Sequence, residues 1–207
     1  METLLIFTGG DPPPADLLDD LPSPDLTIAA DSGYDTAVKL DHPVDVLVGD
    51  MDSISVSEVP DHVIVERHPQ DKDASDLELA LELALRENPV RIVIVGGSGG
   101  RVDHELTTTL TICSDRWAGV DEIDWITRRG RAHVIRRRRI LHGDVGALLS
   151  IIAVGGDATG VATTGLRWNL DAGTMLAGSS RGLSNIMEAP ITDIRVDAGC
   201  LLAVFPI

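Results

Sequence analysis

Short runs of consecutive apolar residues recur along the first half of the chain, and most of them end at glycine or aspartate. Five runs have this form, at residues 4–8, 26–30, 44–48, 63–65 and 91–95. Runs of this length without polar alternation are typical of strands buried on both faces of a parallel sheet. Helical periodicity lies between and after them, at residues 34–40, 77–85 and 106–113. The pattern predicts an open, mostly parallel α/β sheet in the N-terminal part of the chain.

The pattern changes after residue 127, where short apolar segments alternate with glycine or aspartate turns and long helical runs disappear. The candidate strands are residues 132–135, 147–154, 160–164, 174–177, 191–196 and 201–205. Several short strands at regular spacing are typical of a β-sandwich or a barrel. We therefore expect an α/β domain at residues 1–128 and a β-sandwich domain at residues 129–207.

An acidic stretch, residues 71–76, directly precedes the second predicted helix. In an extended segment, residues two apart point the same way, so Asp71 and Asp73 would aim at one place. A divalent cation would relieve their repulsion, and Mg²⁺ prefers such hard oxygen ligands. Helix capping, for which Ser75 and Glu78 have the right spacing, is an alternative explanation for the end of the stretch. It leaves the first two acids unexplained.

Further acids follow the predicted strands at their C-terminal ends. Asp31 follows the second apolar run, and Asp50, Asp52 and Ser53 follow the third. Open α/β sheets bind ligands outside the carboxyl ends of their strands. We therefore expect these side chains to lie at a ligand site.

A glycine-rich loop, residues 96–104, follows the fifth run and opens the third predicted helix. Gly97, Gly99 and Gly100 could let the backbone approach a phosphate and turn its N–H groups toward it. The loop matches neither a GxGxxG fingerprint nor a Walker loop. A tight strand-to-helix turn without a ligand therefore remains an alternative, and His104 at the helix start is open to either a structural or a functional interpretation.

Composition restricts the class of partner. The 207 residues include 17 Lys and Arg against 33 Asp and Glu, which gives a formal net charge of −16 at pH 7. Charge of this sign argues against nonspecific binding to nucleic acid or to an anionic membrane. Cys113 and Cys200 lack metal-ligand spacing, which fits a reducing compartment. The N-terminus has no basic segment and no apolar stretch long enough for a signal peptide or a membrane span, so we expect a soluble, cytoplasmic protein.

Seven arginines lie between Arg128 and Arg139, as the only basic patch in this acidic chain. Guanidinium groups suit phosphate oxygens, so the patch could attract a polyphosphate. Arginines on an edge strand that prevent sheet-to-sheet pairing are the alternative. We give these arginines no catalytic role.

Five separated motifs occur in one order along the chain, at residues 49–53 (GDMDS), 71–76 (DKDASD), 96–104 (GGSGGRVDH), 165–170 (GLRWNL) and 179–185 (SSRGLSN). Together they resemble the thiamine pyrophosphokinase family over nearly the whole chain. The family more commonly has an aromatic residue at the position of Met51, a difference that leaves the acids intact. The resemblance implies an enzyme that uses Mg²⁺ and transfers a diphosphate from ATP to the hydroxyl of thiamine, giving thiamine diphosphate and AMP.

The resemblance also implies roles for particular residues. The acids around Mg²⁺ and the ATP phosphates are Asp50, Asp71, Asp73 and Asp103. The residues on the thiamine side, donated by the partner subunit of a homodimer with shared active sites, are Trp168, Ser184 and Asn185. The α/β domain is then the ATP- and Mg²⁺-binding catalytic domain, and the β-sandwich is the thiamine-binding domain.

The residue types support the same chemistry. Diphosphate transfer depends mostly on positioning the reactants and on neutralising phosphate charge. Arg101 or Lys72 can meet phosphate oxygens, and Asp73 or Asp103 could accept the hydroxyl proton. Trp168 offers an aromatic face to the thiazolium or the aminopyrimidine, although a buried core tryptophan remains the alternative. We take Asp71, Asp73, Asp103 and Arg101 as the candidate catalytic residues.

Other functions remain open at this point. A pyrophosphokinase that acts on a pterin alcohol would keep the chemistry and change the acceptor. The tripeptide at residues 50–52 matches the DxD of nucleotide-sugar transferases, but that function does not explain Asp71, Asp73 and Asp103. A nucleotide-binding sensor would bind ATP without forming AMP.

Overall fold

The computed structural model describes residues 1–55 and 58–207. The chain divides into two compact units. The first consists of Met1–Thr111 and Gly119–Arg128, and the second of Ile112–Ala118 and Arg129–Ile207. The second unit therefore takes a short segment from the middle of the chain as well as the C-terminal part.

The first unit contains a parallel sheet whose strands alternate with helices. In chain order the strands are β1 (Thr3–Phe7), β2 (Leu26–Ala30), β3 (Val46–Gly49), β4 (Ile64–Arg67), β5 (Arg91–Val95) and β6 (Glu122–Thr127). Their spatial order is β6-β5-β1-β2-β3-β4, and each neighbouring pair is parallel. The helices are α1 (Gly33–Lys39), α2 (Asp76–Arg86) and α3 (Val102–Ile112). The predicted open α/β sheet is confirmed.

Burial explains why the apolar runs predicted these strands well. Every residue of β1 is buried, as expected for a strand with neighbours on both sides and layers on both faces. The edge strand β4 is mostly exposed, and its run was correspondingly weak. Around β1 the core includes Leu5 and Phe7, with Leu47 from β3 and Val93 from β5.

The second unit is built from two layers of antiparallel strands. Its strands are β7 (Gly130–Ile135), β8 (Arg138–His142), β9 (Leu148–Ala153), β10 (Ala158–Thr164), β11 (Gly173–Met175), β12 (Asn185–Ile186), β13 (Ile191–Arg195) and β14 (Leu201–Pro206). Four of its strands lie side by side in the order β12-β9-β14-β7, and the other four form a four-stranded sheet in the order β11-β10-β13-β8. Leu149 and Leu201 from the first layer share one core with Val161 and Ile194 from the second. The predicted β-sandwich is confirmed.

Strand β8 begins at the end of the arginine patch and was not predicted. Its residues alternate between exposed and buried, so Arg138 and Ile140 face solvent while Leu141 enters the core. Because only two consecutive residues of this strand are apolar, it lacks the apolar run that predicted most of the other strands. β8 is the edge of its sheet, which fits the edge-strand interpretation for the exposed Arg138.

Helix α2 begins with the capping box that the sequence allowed. The Ser75 hydroxyl accepts a hydrogen bond from the Glu78 N–H, and the Glu78 carboxylate accepts one from the Ser75 N–H. Ser75 and Glu78 therefore fix where the helix starts. This leaves the acids of residues 71–76 to be explained separately.

Among the described residues, no helix combines the length and the apolar character needed to cross a lipid bilayer.

Candidate active site

A cleft of about 560 Å³ opens where the loops after several parallel strands of the first unit meet the starts of α2 and α3. Thr8 and Gly9 follow β1, Asp31 follows β2, and Gly97 follows β5. Asp76, at the start of α2, lines the same cleft. The site therefore lies where an open α/β sheet is expected to bind its ligand.

Three carboxylates converge beside this cleft. Asp31, Asp50 and Asp52 each place an oxygen within 4.8 Å of the others. Asp31 is buried and its Oδ1 has no hydrogen-bond partner among the described residues, whereas Asp52 is exposed. An unsatisfied buried carboxylate oxygen and an all-oxygen donor set suit a hard divalent cation such as Mg²⁺.

The surroundings of Asp31 raise its pKa above the ordinary value. Burial is the largest cause, and the negative charges of Asp76 and Asp50 add to it, while hydrogen bonds from Ser53 and from the Ser32 backbone act in the opposite direction. The Asp31 backbone is held in place because its N–H donates to the Val48 carbonyl at 2.8 Å. A nearby cation would stabilise the ionised form of a carboxylate in such surroundings.

Lys72 brings a positive charge to the same acids. Its Nζ lies 3.0 Å from Asp76 Oδ1 and 3.7 Å from Asp50 Oδ2. Burial alone would lower the pKa of Lys72, but the contact with Asp76 and the charges of Asp76, Asp50 and Asp31 outweigh it and raise the pKa. Asp76 was assigned from sequence only to the helix start, yet it belongs to this acidic site.

Asp71 and Asp73 lie on the exposed side of the segment that precedes α2. Exposure alternates along it, so that Lys72 between them is half-buried. That the two acids aim at one place stays a prediction. In the described part of the chain, however, the group of converging carboxylates consists of Asp31, Asp50 and Asp52. The metal-binding and catalytic roles of Asp71 and Asp73 remain predictions.

The glycine-rich loop forms another wall of the cleft, with Gly97, Gly100 and Arg101 lining it. Gly97 has φ of +74°, and a Cβ there would lie 3.2 Å from the Thr8 methyl. A residue with a side chain would have a strained backbone conformation at this position, and its Cβ would crowd Thr8, which follows β1. His104, Thr107 and Thr108 of α3 also line the cleft. No sequence motif pointed to the two threonines.

Arg101 and Asp103 form an exposed ion pair with each other. Arg101 Nε donates to Asp103 Oδ1 at 3.1 Å. This hydrogen bond, together with the Arg101 charge, lowers the pKa of Asp103 to about 2. Asp103 is therefore ionised at neutral pH, and in this structure its carboxylate faces Arg101. Its predicted metal-binding role and the phosphate-binding role of Arg101 remain predictions.

The predicted thiamine-side residues lie together in the second unit. Trp168 is 59% exposed, which excludes the alternative of a buried core tryptophan. Asn185 is buried; its Oδ1 accepts from the Trp168 N–H at 3.1 Å and its Nδ2 donates to the Trp168 carbonyl at 2.9 Å. Ser184, next to it, is exposed and has φ of +57°. Asn185 thus fixes the backbone that presents the Trp168 ring.

Three arginines of the basic patch have partners within their own unit. Arg138 pairs with Asp193 at 2.9 Å, and Arg136 donates to the Ser114 carbonyl at 2.8 Å. Arg128 lies 3.8 Å from Asp11, and Arg139 is buried. These contacts favour a structural role for much of the patch.

The first unit is a parallel α/β unit with an acidic, glycine-lined cleft, and the second is a β-sandwich that displays a tryptophan. Glycine-lined clefts at the carboxyl ends of parallel strands are typical of proteins that bind phosphorylated ligands. The chain belongs to the thiamin pyrophosphokinase family. The family model described as "Thiamin pyrophosphokinase, catalytic domain" matches residues 20–118, and "Thiamin pyrophosphokinase, vitamin B1 binding domain" matches residues 132–201. The resemblance inferred from the motifs is confirmed.

Similar proteins include a sequence relative that carries the same family name and solved structures that share the fold. "Thiamine pyrophosphokinase 1" of Oryza sativa subsp. japonica is 28% identical over 189 residues, a match that covers 81% of this chain and 68% of that protein. The structure of thiamine pyrophosphokinase from Bacillus subtilis has a TM-score of 0.85 at 24% identity and covers 99% of both chains. Thiamin pyrophosphokinase from Candida albicans has a TM-score of 0.79 at 13% identity, covering 100% of this chain and 89% of that one. The pterin and nucleotide-sugar alternatives are not favoured by these matches.

Proposed function

We propose that this protein transfers the diphosphate of ATP to the hydroxyl of thiamine, producing thiamine diphosphate and AMP in the cytoplasm, and that it uses Mg²⁺. The observation that carries the proposal is the convergence of Asp31, Asp50 and Asp52 beside a glycine-lined cleft in a chain of this family. Residues 1–128 are the catalytic domain and residues 129–207 the thiamine-binding domain of this proposal.

The acids are suited to hold the metal. Bound there by Asp31, Asp50 and Asp52, with Asp71, Asp73 and Asp103 as the further predicted ligands, Mg²⁺ would neutralise charge on the β- and γ-phosphates. Transfer of a phosphoryl group depends on this kind of electrostatic stabilisation.

The remaining residues bind and orient the substrates. The N–H groups of the loop containing Gly97, Gly99 and Gly100 are suited to phosphate oxygens. The Arg101 guanidinium, exposed at the cleft, can move from Asp103 to a phosphate because its present pairing is in solvent. These contacts would hold the chain of phosphates so that the thiamine hydroxyl attacks in line.

Thiamine would be held through the second unit. The exposed Trp168 ring offers its face to the cationic thiazolium. Ser184 and Asn185 follow on the neighbouring segment, with Asn185 acting through the Trp168 backbone. We propose that these residues reach the nucleotide site of the partner subunit, so that a homodimer has two shared sites.

An acceptor panel tests the function. Purified protein with ATP and Mg²⁺ should release AMP when thiamine is added, and should release far less with 6-hydroxymethylpterin or with no acceptor. AMP release that is equal with and without thiamine would contradict the proposal, and so would a preference for the pterin.

The contact between Asn185 and Trp168 gives a second prediction. Asn185→Ala removes two hydrogen bonds to the Trp168 backbone, each worth about 1 kcal/mol, so KM for thiamine should rise about tenfold or more. KM for ATP should stay near the wild-type value, because the contact lies within the thiamine-binding unit. Steady-state kinetics with each substrate varied in turn makes the measurement. Equal changes in both KM values would show that Asn185 supports the fold in general and does not position Trp168.

A further inference from the structure

Lys72 occupies a position that its predicted role as a phosphate ligand does not explain. Its side chain is only 13% exposed, although lysine normally extends its ammonium into water. The ammonium lies between two carboxylates, 3.0 Å from Asp76 Oδ1 and 3.7 Å from Asp50 Oδ2. Asp50 is also a member of the group of converging carboxylates proposed to hold Mg²⁺.

The carboxylates around this ammonium lie close enough together to repel one another. Asp31, Asp50, Asp52 and Asp76 approach one another at the ends of β2 and β3 and the start of α2. Asp76 Oδ1 is buried, and the Lys72 ammonium lies against it at 3.0 Å. The half-buried Lys72 therefore supplies a positive charge that offsets their repulsion in the protein without metal.

We propose that Lys72 is a built-in counter-ion that Mg²⁺ displaces from Asp50. Two cations cannot both lie against the same carboxylate without repelling each other, so metal binding and the Lys72–Asp50 contact are mutually unfavourable. Once displaced from Asp50, the ammonium can turn toward phosphate oxygens in the cleft, which supply the negative charge that it has lost. Lys72 is thus a positioning residue that makes the metal bind weakly alone and well together with the nucleotide.

Lys72→Met is expected to change the metal affinity and the nucleotide affinity in opposite directions. In Lys72→Met the competitor for Asp50 is gone, so the metal alone should bind about tenfold more tightly, a change of about 1.4 kcal/mol. The nucleotide should bind about tenfold more weakly, because the displaced ammonium no longer meets its phosphates. If Lys72 only binds phosphate, Lys72→Met would weaken nucleotide binding and leave the metal affinity unchanged. If Lys72 only supports the fold, the substitution would tighten the binding of neither ligand.

Mn²⁺ is a suitable probe, since carboxylate sites for Mg²⁺ also accept it. Its free ion is measured directly by electron paramagnetic resonance, with MnCl₂ titrated into the whole protein in the absence of nucleotide. Lys72→Arg keeps the charge and should bind Mn²⁺ nearly as the wild type does. Lys39→Met is the matched control, because Lys39 is the other lysine of the chain and is exposed at the end of α1. It should change neither affinity.

The expected result is tighter Mn²⁺ binding by Lys72→Met than by the wild type, Lys72→Arg or Lys39→Met, with weaker ADP binding measured by calorimetry in the presence of Mg²⁺. Mn²⁺ affinity that is unchanged or lower in Lys72→Met overturns the proposal, and unchanged ADP affinity overturns the transfer of the ammonium to phosphate. If Lys72→Met does not fold, Lys72→Gln is titrated in its place and decided by the same criteria. The nucleotide half of the inference rests on the proposed function, whereas the Mn²⁺ titration in the absence of nucleotide does not, so failure of the two can be told apart.

Discussion

Asp31→Asn is expected to reduce kcat/KM by about 10²-fold or more while raising the melting temperature of the metal-free protein. The loss of activity follows because a carboxylate is removed from the group formed with Asp50 and Asp52. The gain in stability follows because a buried charge, held near Asp76 and Asp50, is replaced by a neutral side chain of the same shape. A residue that destabilises the fold and is required for activity is typical of a functional site.

The pH dependence of stability has a defined sign. The folded state raises the pKa of Asp31, mainly through burial, so the folded protein binds the Asp31 proton more tightly than the unfolded chain does. The destabilisation is therefore fully present above the raised pKa and is relieved as pH falls through it toward the ordinary value of 3.8. Consequently, the difference in melting temperature between Asp31→Asn and wild type should be largest near neutral pH and should shrink on acidification.

Asp193→Asn is the matched control for this experiment. Asp193 lies on β13 in the second unit, and its ion pairs with Arg138 and Arg195 lower its pKa. Its replacement should lower the melting temperature and leave kcat/KM close to the wild-type value. If Asp31→Asn lowered the melting temperature as Asp193→Asn does, or if the Asp31→Asn protein kept near-normal turnover at limiting Mg²⁺, the role proposed for Asp31 would be wrong.

Mixing two inactive variants is expected to regenerate activity. Asp31→Asn damages the proposed nucleotide site, and Trp168→Ala damages the proposed thiamine site. If sites are shared in a symmetric dimer, each heterodimer contains one site whose two halves are both intact. Random assortment makes half of the dimers heterodimers, so the mixture should reach about a quarter of wild-type activity.

The mixture of Asp31→Asn with Asp50→Asn is the control, because both changes affect the same half of the site and every heterodimer site remains damaged. Subunit exchange in each mixture is verified by native mass spectrometry before activity is measured. If the first mixture exchanges subunits and stays as inactive as its parents, each site is built from one chain and the shared-site proposal is wrong.

The fold could be predicted from sequence wherever burial was complete. β1 and β5 are uninterrupted apolar runs because both faces of these strands are covered. β8 was missed because it is an edge strand that begins with two arginines, of which Arg138 is exposed. The segment Ile112–Ala118, which belongs with the second unit, has no sequence signal for that placement, because nonlocal packing decides it.

The candidate site was predicted in part for a similar reason. Asp31, Asp50 and Asp52 follow neighbouring parallel strands, so the topology alone brings them to one edge of the sheet. Asp76 was explained by the start of α2, and its contact with Lys72 becomes visible only when that helix is placed beside the strand ends. The expectation for Asp71 and Asp73 depended on a ligand to draw them together, and the chain alone places them on the exposed side of their segment.

The position of the label after reaction with ATP labelled at the β-phosphorus tests the central claim most directly. Protein, Mg²⁺, thiamine and labelled ATP are incubated, and the products are separated by chromatography. The account predicts that the label appears in thiamine diphosphate, in amounts equal to the unlabelled AMP formed. Label retained in ADP, with thiamine monophosphate as the coproduct, would show attack on the γ-phosphorus and would contradict diphosphate transfer by this protein.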